Sequence, residues 1–202
     1  FETGMFLLNR YYIKDKLIKK FSNEALKKKK FYILEKTPRH IWHVDYINKI
    51  IKDPKFILTT RRPEETIYSL YKRYKNLDLA IQRYQDDSIQ TLRSLELKNS
   101  ILIKYEDLIL NTEVTLKKIC KFLNLRIEKD MINFFKKPIE WNLTNPFSGK
   151  KDYHNEKRNM QANLPLSREI KKNEIPLKIK KKINIFLNKK NIGSKIKKQF
   201  GY

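Results

Sequence analysis

FILTTRRPEETIYSLYKRY, Phe56 to Tyr74, is the stretch on which the fold turns. Its first five residues, Phe56 to Thr60, are a short β-rich apolar run that ends at Arg61. Pro63 then opens an amphipathic helix that carries Ser69. Proline costs no hydrogen bond at a first helical position, because the N–H it lacks would have no intrahelical partner. Arg61 therefore falls where a strand ends and a helix begins, and in open α/β sheets that carboxyl edge is where ligands bind. A guanidinium at such an edge, with a hydroxyl about two turns into the following helix, makes a clamp for a phosphate group.

Two further runs share the character of Phe56–Thr60. They are FYILE, Phe31 to Glu35, and ILIKY, Ile101 to Tyr105, each bounded by charged or turn residues. Continuous apolar runs of this length are the pattern of strands buried on both faces of a parallel sheet. Between the first and second, Ile41, Val44, Ile47, Ile50 and Ile51 recur at spacings of three and four and predict a helix over about 40–52. Between the second and third, helices are expected over 64–75 and 77–97. This alternation implies an α/β fold with a central parallel sheet and right-handed crossovers. Beyond Tyr105 the chain reads as helical, over 115–125, 128–136 and within 167–188. The stretch from Pro138 to Pro165 lacks periodicity and reads as a long loop or lid.

A chain of 202 residues, 40% hydrophobic and 12% aromatic, is long enough for one domain with a real core. Its net charge of +24, from 46 basic and 22 acidic residues, attracts polyanions and phosphorylated or sulfated substrates. Lysine, asparagine and isoleucine are abundant together, so a compositional drift is preferred to nucleic-acid binding. The lysine-rich stretch from Lys178 to Lys198 keeps Ile179, Ile183, Phe186 and Leu187 at helical spacing, and a surface helix is expected there. Cys120 is the only cysteine, which excludes an intrachain disulfide and a cysteine metal cluster; its setting predicts a buried free thiol. No apolar run spans a membrane, and the four glycines form neither a Walker loop nor a dinucleotide fingerprint. His40 and His43, three residues apart, lack a third ligand in view, so no metal is expected.

All three runs end on chemically capable residues: Glu35-Lys36-Thr37-Pro38, Arg61-Arg62-Pro63 and Tyr105-Glu106-Asp107. Adjacent ends of parallel strands share one edge, so these residues are expected to converge on a pocket. They also carry a resemblance. The chain resembles the PAPS-dependent sulfotransferases, which move a sulfuryl group from 3′-phosphoadenosine 5′-phosphosulfate to an alcohol or amine. Glu35-Lys36-Thr37-Pro38 followed by Arg39-His40 is similar to a motif of the carbohydrate-type and bacterial members. Phe56–Tyr74 is similar to the 3′-phosphate segment, in which Ser follows Arg by eight residues, as Ser69 follows Arg61. Leu102–Leu125 resembles the family's Tyr-Glu-Asp-Leu strand end and its following helix.

The resemblance implies a P-loop-NTPase-like three-layer fold with a helical C-terminal part. It implies that Arg61 and Ser69 bind the 3′-phosphate, that Glu35 is the general base and that Lys36 stabilises charge on the sulfuryl oxygens. Tyr105 either lies near the adenine or packs. Lys150 and Lys151 fall where the family places a basic loop over the donor. Small-molecule members have a His base where this chain has Pro38, which favours the Glu-based branch and a saccharide hydroxyl as acceptor, or else a small alcohol. The family's 5′-phosphosulfate loop is not found upstream of Glu35, so the expectation is a single domain over 1–202 lacking that N-terminal strand, loop and helix. A cytoplasmic location is expected, or the Golgi lumen if an anchor precedes Phe1.

Blander readings stand beside these. Arg61 or Arg62 pairs with Glu64 or Glu65 in one of them, and Glu35 with Lys36 is an ordinary surface pair in another. Tyr105-Glu106-Asp107 reads as structural, with Asp107 capping a turn. The competing function is a non-catalytic basic α/β module that holds RNA or an anionic glycan.

Overall fold

The computed structural model describes residues 19, 22–23, 25–27, 32–133, 175–188 and 192–202. The chain divides into two compact units, Phe1–Pro54 and Lys55–Tyr202. In the first unit, Tyr32 to Thr37 run without strand pairing into a 3-10 turn, Pro38–His43, and a helix α1, Val44–Ile50. Val44 and Ile47 are buried, as their spacing requires. The strand expected over 31–35 is not formed by its described residues. Tyr32, Ile33 and Leu34 are all more than half exposed, so the run lacks the burial that would favour a strand.

The second unit begins with β1, Phe56–Thr60, followed by α2, Pro63–Tyr74, and α3, Leu77–Ser94. Pro63 stands at the start of α2 with Arg62 as its N-cap. At the far end Lys75 takes the left-handed conformation, φ 56°, and its N–H bonds the Tyr71 carbonyl. Asn76 then caps α3 by accepting from the Leu79 N–H at 3.0 Å. The chain returns through β2, Ser100–Lys104, which pairs with β1 in parallel, Phe56 opposite Ser100 and Thr60 opposite Lys104. The predicted third strand is therefore formed, one residue earlier than expected, because Tyr105 opens the short helix α4, Tyr105–Leu110. Helices α5, Thr112–Leu123, and α6, Lys129–Ile132, follow. Cys120 is buried, its Sγ 3.7 Å from Met131 Sδ.

Among the described residues the sheet has two strands, with Leu58 and Ile103 buried and Thr59 exposed. The core lies instead between helices, where Ile67 of α2 meets Ala80 and Tyr84 of α3. It is completed by α7, Leu177–Asn188, and α8, Ile192–Gln199, through Ile183, Leu187, Ile196 and Phe200. Each fully buried isoleucine there contributes on the order of 2 kcal/mol from removing its side chain from water. The expected surface helix over the lysine-rich segment is thus amphipathic: Lys178, Lys181 and Lys182 face solvent while Ile183 and Leu187 close the core. Gly193, in the first turn of α8, lets that helix approach α7 closely, since a Cβ there would lie 2.5 Å from the Phe186 carbonyl oxygen. Among the described residues, no helix is long and apolar enough to cross a membrane. The expected loop over 138–165, with Lys150 and Lys151, lies outside the described residues.

Candidate functional site

The parallel register places Thr60 opposite Lys104, so the next residues, Arg61 and Tyr105, leave the sheet side by side. The Arg61 guanidinium carbon lies 5.0 Å from the centre of the Tyr105 ring, within cation–π range. The ring is more than a third exposed and closes one face of the guanidinium. One edge of that guanidinium is taken by Glu65, which receives a hydrogen bond from Nη2. Glu65 is buried, in the first turn of α2, one helical turn from Arg61. The simple pairing foreseen for Arg61 therefore forms, but against a buried carboxylate rather than at the surface. Arg61 Nε is buried and meets no acceptor among the described residues, an unsatisfied donor of the kind folded proteins rarely leave.

Ser69 stands one further turn along the same side of α2 and is exposed. Arg61, Glu65 and Ser69 thus form a ladder at intervals of four residues, with positive charge and hydroxyl at its ends. The guanidinium and hydroxyl flank the N-terminal half of α2, the end of the helix whose dipole favours negative charge.

Glu106, set aside as structural from the sequence, proves central to the geometry. It is 5% exposed, and one carboxylate oxygen accepts from the Arg62 N–H at 2.9 Å. The other accepts from the Tyr202 hydroxyl at 2.6 Å. Burial alone would raise the Glu106 pKa; the Tyr202 and Arg62 hydrogen bonds, with the Arg62 charge, more than offset this and hold it below the ordinary carboxylate value. Tyr202 is pushed strongly upward by burial and by the adjacent carboxylate. Only a Tyr-Glu sequence at a strand end hinted at this in the primary structure, and nothing there pointed to Tyr202. Asp107 offers its backbone carbonyl, not its side chain, to the turn: the Thr115 hydroxyl donates to it at 2.9 Å.

In the first unit Glu35 is mostly buried, accepts from the Thr37 hydroxyl at 2.9 Å and lies 2.6 Å from His40 Nδ1. The proline after Thr37 starts the 3-10 turn that brings His40 back onto the carboxylate. In place of the pair foreseen between Glu35 and Lys36, Glu35 pairs with His40, the first residue of the helix expected over about 40–52. Lys36 is exposed. No group of three or more His, Cys, Asp or Glu side chains among the described residues is arranged to hold a metal ion.

Residues 7–129 match the family model described as the sulfotransferase family. Among solved structures, the chain is similar to the sulfotransferase domain from the curacin biosynthetic pathway. The TM-score is 0.55 at 18% identity, covering 92% of this chain and 77% of that one, a likeness of fold. No curated protein matches the chain.

Proposed function

The chain belongs to the sulfotransferase family, and on that premise we propose that it transfers a sulfuryl group from PAPS to an acceptor hydroxyl. The observation that carries the reading is the pairing of Arg61 and Tyr105 at the ends of adjacent parallel strands, with Ser69 two turns into α2. Arg61 and Ser69 hold the 3′-phosphate of the donor, and Tyr105 lies against the adenosine. The guanidinium offers planar donors that suit phosphate oxygens. The resemblance also puts Lys150 and Lys151 forward as donor-binding residues; both lie outside the described residues. The net charge of +24 favours approach of a polyanionic nucleotide.

In the reaction proposed, the acceptor oxygen attacks sulfur in line. A new oxygen–sulfur bond forms as the bond from sulfur to the bridging phosphate oxygen breaks, releasing PAP. Glu35 takes the acceptor's proton, and Lys36 balances charge on the sulfuryl oxygens. Thr37 and His40 orient the Glu35 carboxylate for that proton. The Glu-based motif favours a saccharide hydroxyl as acceptor. Positioning and charge stabilisation supply most of the rate, as in the related phosphoryl transfers.

The test is a melting curve with saturating PAP. Wild type should be stabilised by several degrees, since a ligand at a hundred times its Kd adds about 2.7 kcal/mol. Arg61→Ala should abolish the shift. An unchanged wild-type melting temperature would overturn the donor assignment. A second reading, a basic module that holds RNA or an anionic glycan, is favoured by the exposed lysines of α7. It predicts strongly salt-dependent polyanion binding that survives Arg61→Ala.

A further inference from the structure

The segment from α8 to Tyr202 grips the strand-to-helix crossover that carries Arg61 from both sides. On one side Lys197 of α8 bonds Glu64, in the first turn of α2, at 2.6 Å. On the other, Tyr202 donates its hydroxyl to Glu106 at 2.6 Å. Lys104 ties the same segment to the end of β2: its Nζ donates to the Gly201 carbonyl at 2.8 Å and lies 4.9 Å from the Tyr202 ring centre. Glu106 then passes the constraint on, because its second oxygen holds the Arg62 N–H, the residue between Arg61 and Pro63. Arg61 and Tyr105 are thereby held: Arg62 follows the first, Lys104 and Glu106 flank the second, and each of these is tied to Tyr202 directly or through Glu106.

We propose that Glu106 and Tyr202 are positioning residues of the donor site, fixing the Arg61–Tyr105 pair in the geometry that receives the 3′-phosphate. This rests on the donor reading above. A carboxylate that accepts from one backbone amide and one phenol is a rigid connector, because both its partners are themselves anchored, one by the start of α2 and the other by the turn after α8. Loss of the phenol leaves Glu106 with one partner fewer and loosens its hold on the Arg62 N–H. The guanidinium then keeps its charge but loses its aim, so the loss falls on donor affinity and not on the chemical step.

The test uses the full chain, with Tyr202→Phe as the conservative variant and Glu106→Gln as a second that keeps one acceptor. Titration calorimetry with PAP, donor KM and kcat, and hydrogen exchange of the Arg62 amide are read together. Tyr202→Phe should weaken PAP about tenfold, the scale of one hydrogen bond to a charged group. It should raise donor KM with kcat unchanged and speed exchange at Arg62. Glu106→Gln should fall between wild type and Tyr202→Phe. A Tyr202→Phe protein that binds PAP as tightly as wild type overturns the positioning role, whatever its melting temperature. A wild type that binds no PAP overturns the donor reading instead, a result visible before any variant is made.

Discussion

The segment that closes on Arg61 and the segment that closes on Glu35 are built alike: an apolar run, charged residues, then a proline that starts a helical turn. Their local structures differ. Phe56–Thr60 pairs residue for residue with Ser100–Lys104 and buries Leu58, while Tyr32 to Thr37 carry no regular secondary structure and leave Ile33 and Leu34 exposed. The contrast separates two kinds of anchoring. Arg61 is aimed by a sheet register, a buried carboxylate and an aromatic face, contacts contributed by four separate elements. Glu35 has partners close by in sequence, Thr37 two residues on and His40 five residues on. The proposed roles divide the same way, one region holding the unreactive end of the donor and the other handling the acceptor's proton.

The strongest way to break this comparison is at Glu35 and His40. Glu35→Gln should lower kcat by about a hundredfold or more, the range for loss of a general base, while PAP affinity stays as in wild type. His40→Ala should lower kcat about tenfold, since it leaves the carboxylate in place without its orienting partner. A fall in PAP affinity with either variant would erase the division of roles. Next in size is Arg61→Lys, which keeps the charge but not the planar fork and should weaken PAP by about tenfold or more with kcat at saturating donor little changed. Tyr105→Leu sharpens the comparison further. It removes the face under the guanidinium and should cost a few-fold to tenfold in PAP affinity, the scale of a partly exposed cation–π contact.

The smallest expected effect is on acid stability. Because the folded Glu106 pKa lies below its ordinary value near 4.5, the ionised group stabilises the fold fully above that value. The contribution is lost as pH falls through the lowered pKa. Glu106→Gln should therefore flatten the loss of stability below about pH 4.5 in acid unfolding followed by circular dichroism, and leave the neutral region without added pH dependence. An acid limb identical to wild type would show that Glu106 is not held below its ordinary value.

Much of the second unit was legible because its signals are local. Pro63 fixed the start of α2, and two short apolar runs gave the strands. The adjacency of Arg61 and Tyr105 followed from counting to the ends of parallel strands. What escaped was set by contacts across long sequence separations. Glu106 and Tyr202 are joined over 96 positions, and Lys197 reaches Glu64 over 133. No periodicity or spacing encodes such pairs. Tyr32 to Glu35 form no strand for a related reason: an apolar run specifies a strand only when tertiary packing covers its side chains, and Tyr32, Ile33 and Leu34 are exposed. His40 was missed because a regular helix from residue 40 would have carried it away from Glu35, whereas the 3-10 turn opened by Pro38 folds it back.

The central claim is that Arg61 and Ser69 recognise the 3′-phosphate of the donor. Its most direct test compares PAP with adenosine 5′-phosphate, which differs only in lacking that phosphate, by calorimetry on the wild-type chain. The account predicts that PAP binds at least a hundredfold tighter, about 2.7 kcal/mol or more, with the difference collapsing in Arg61→Ala. Equal affinity for the two nucleotides would contradict it.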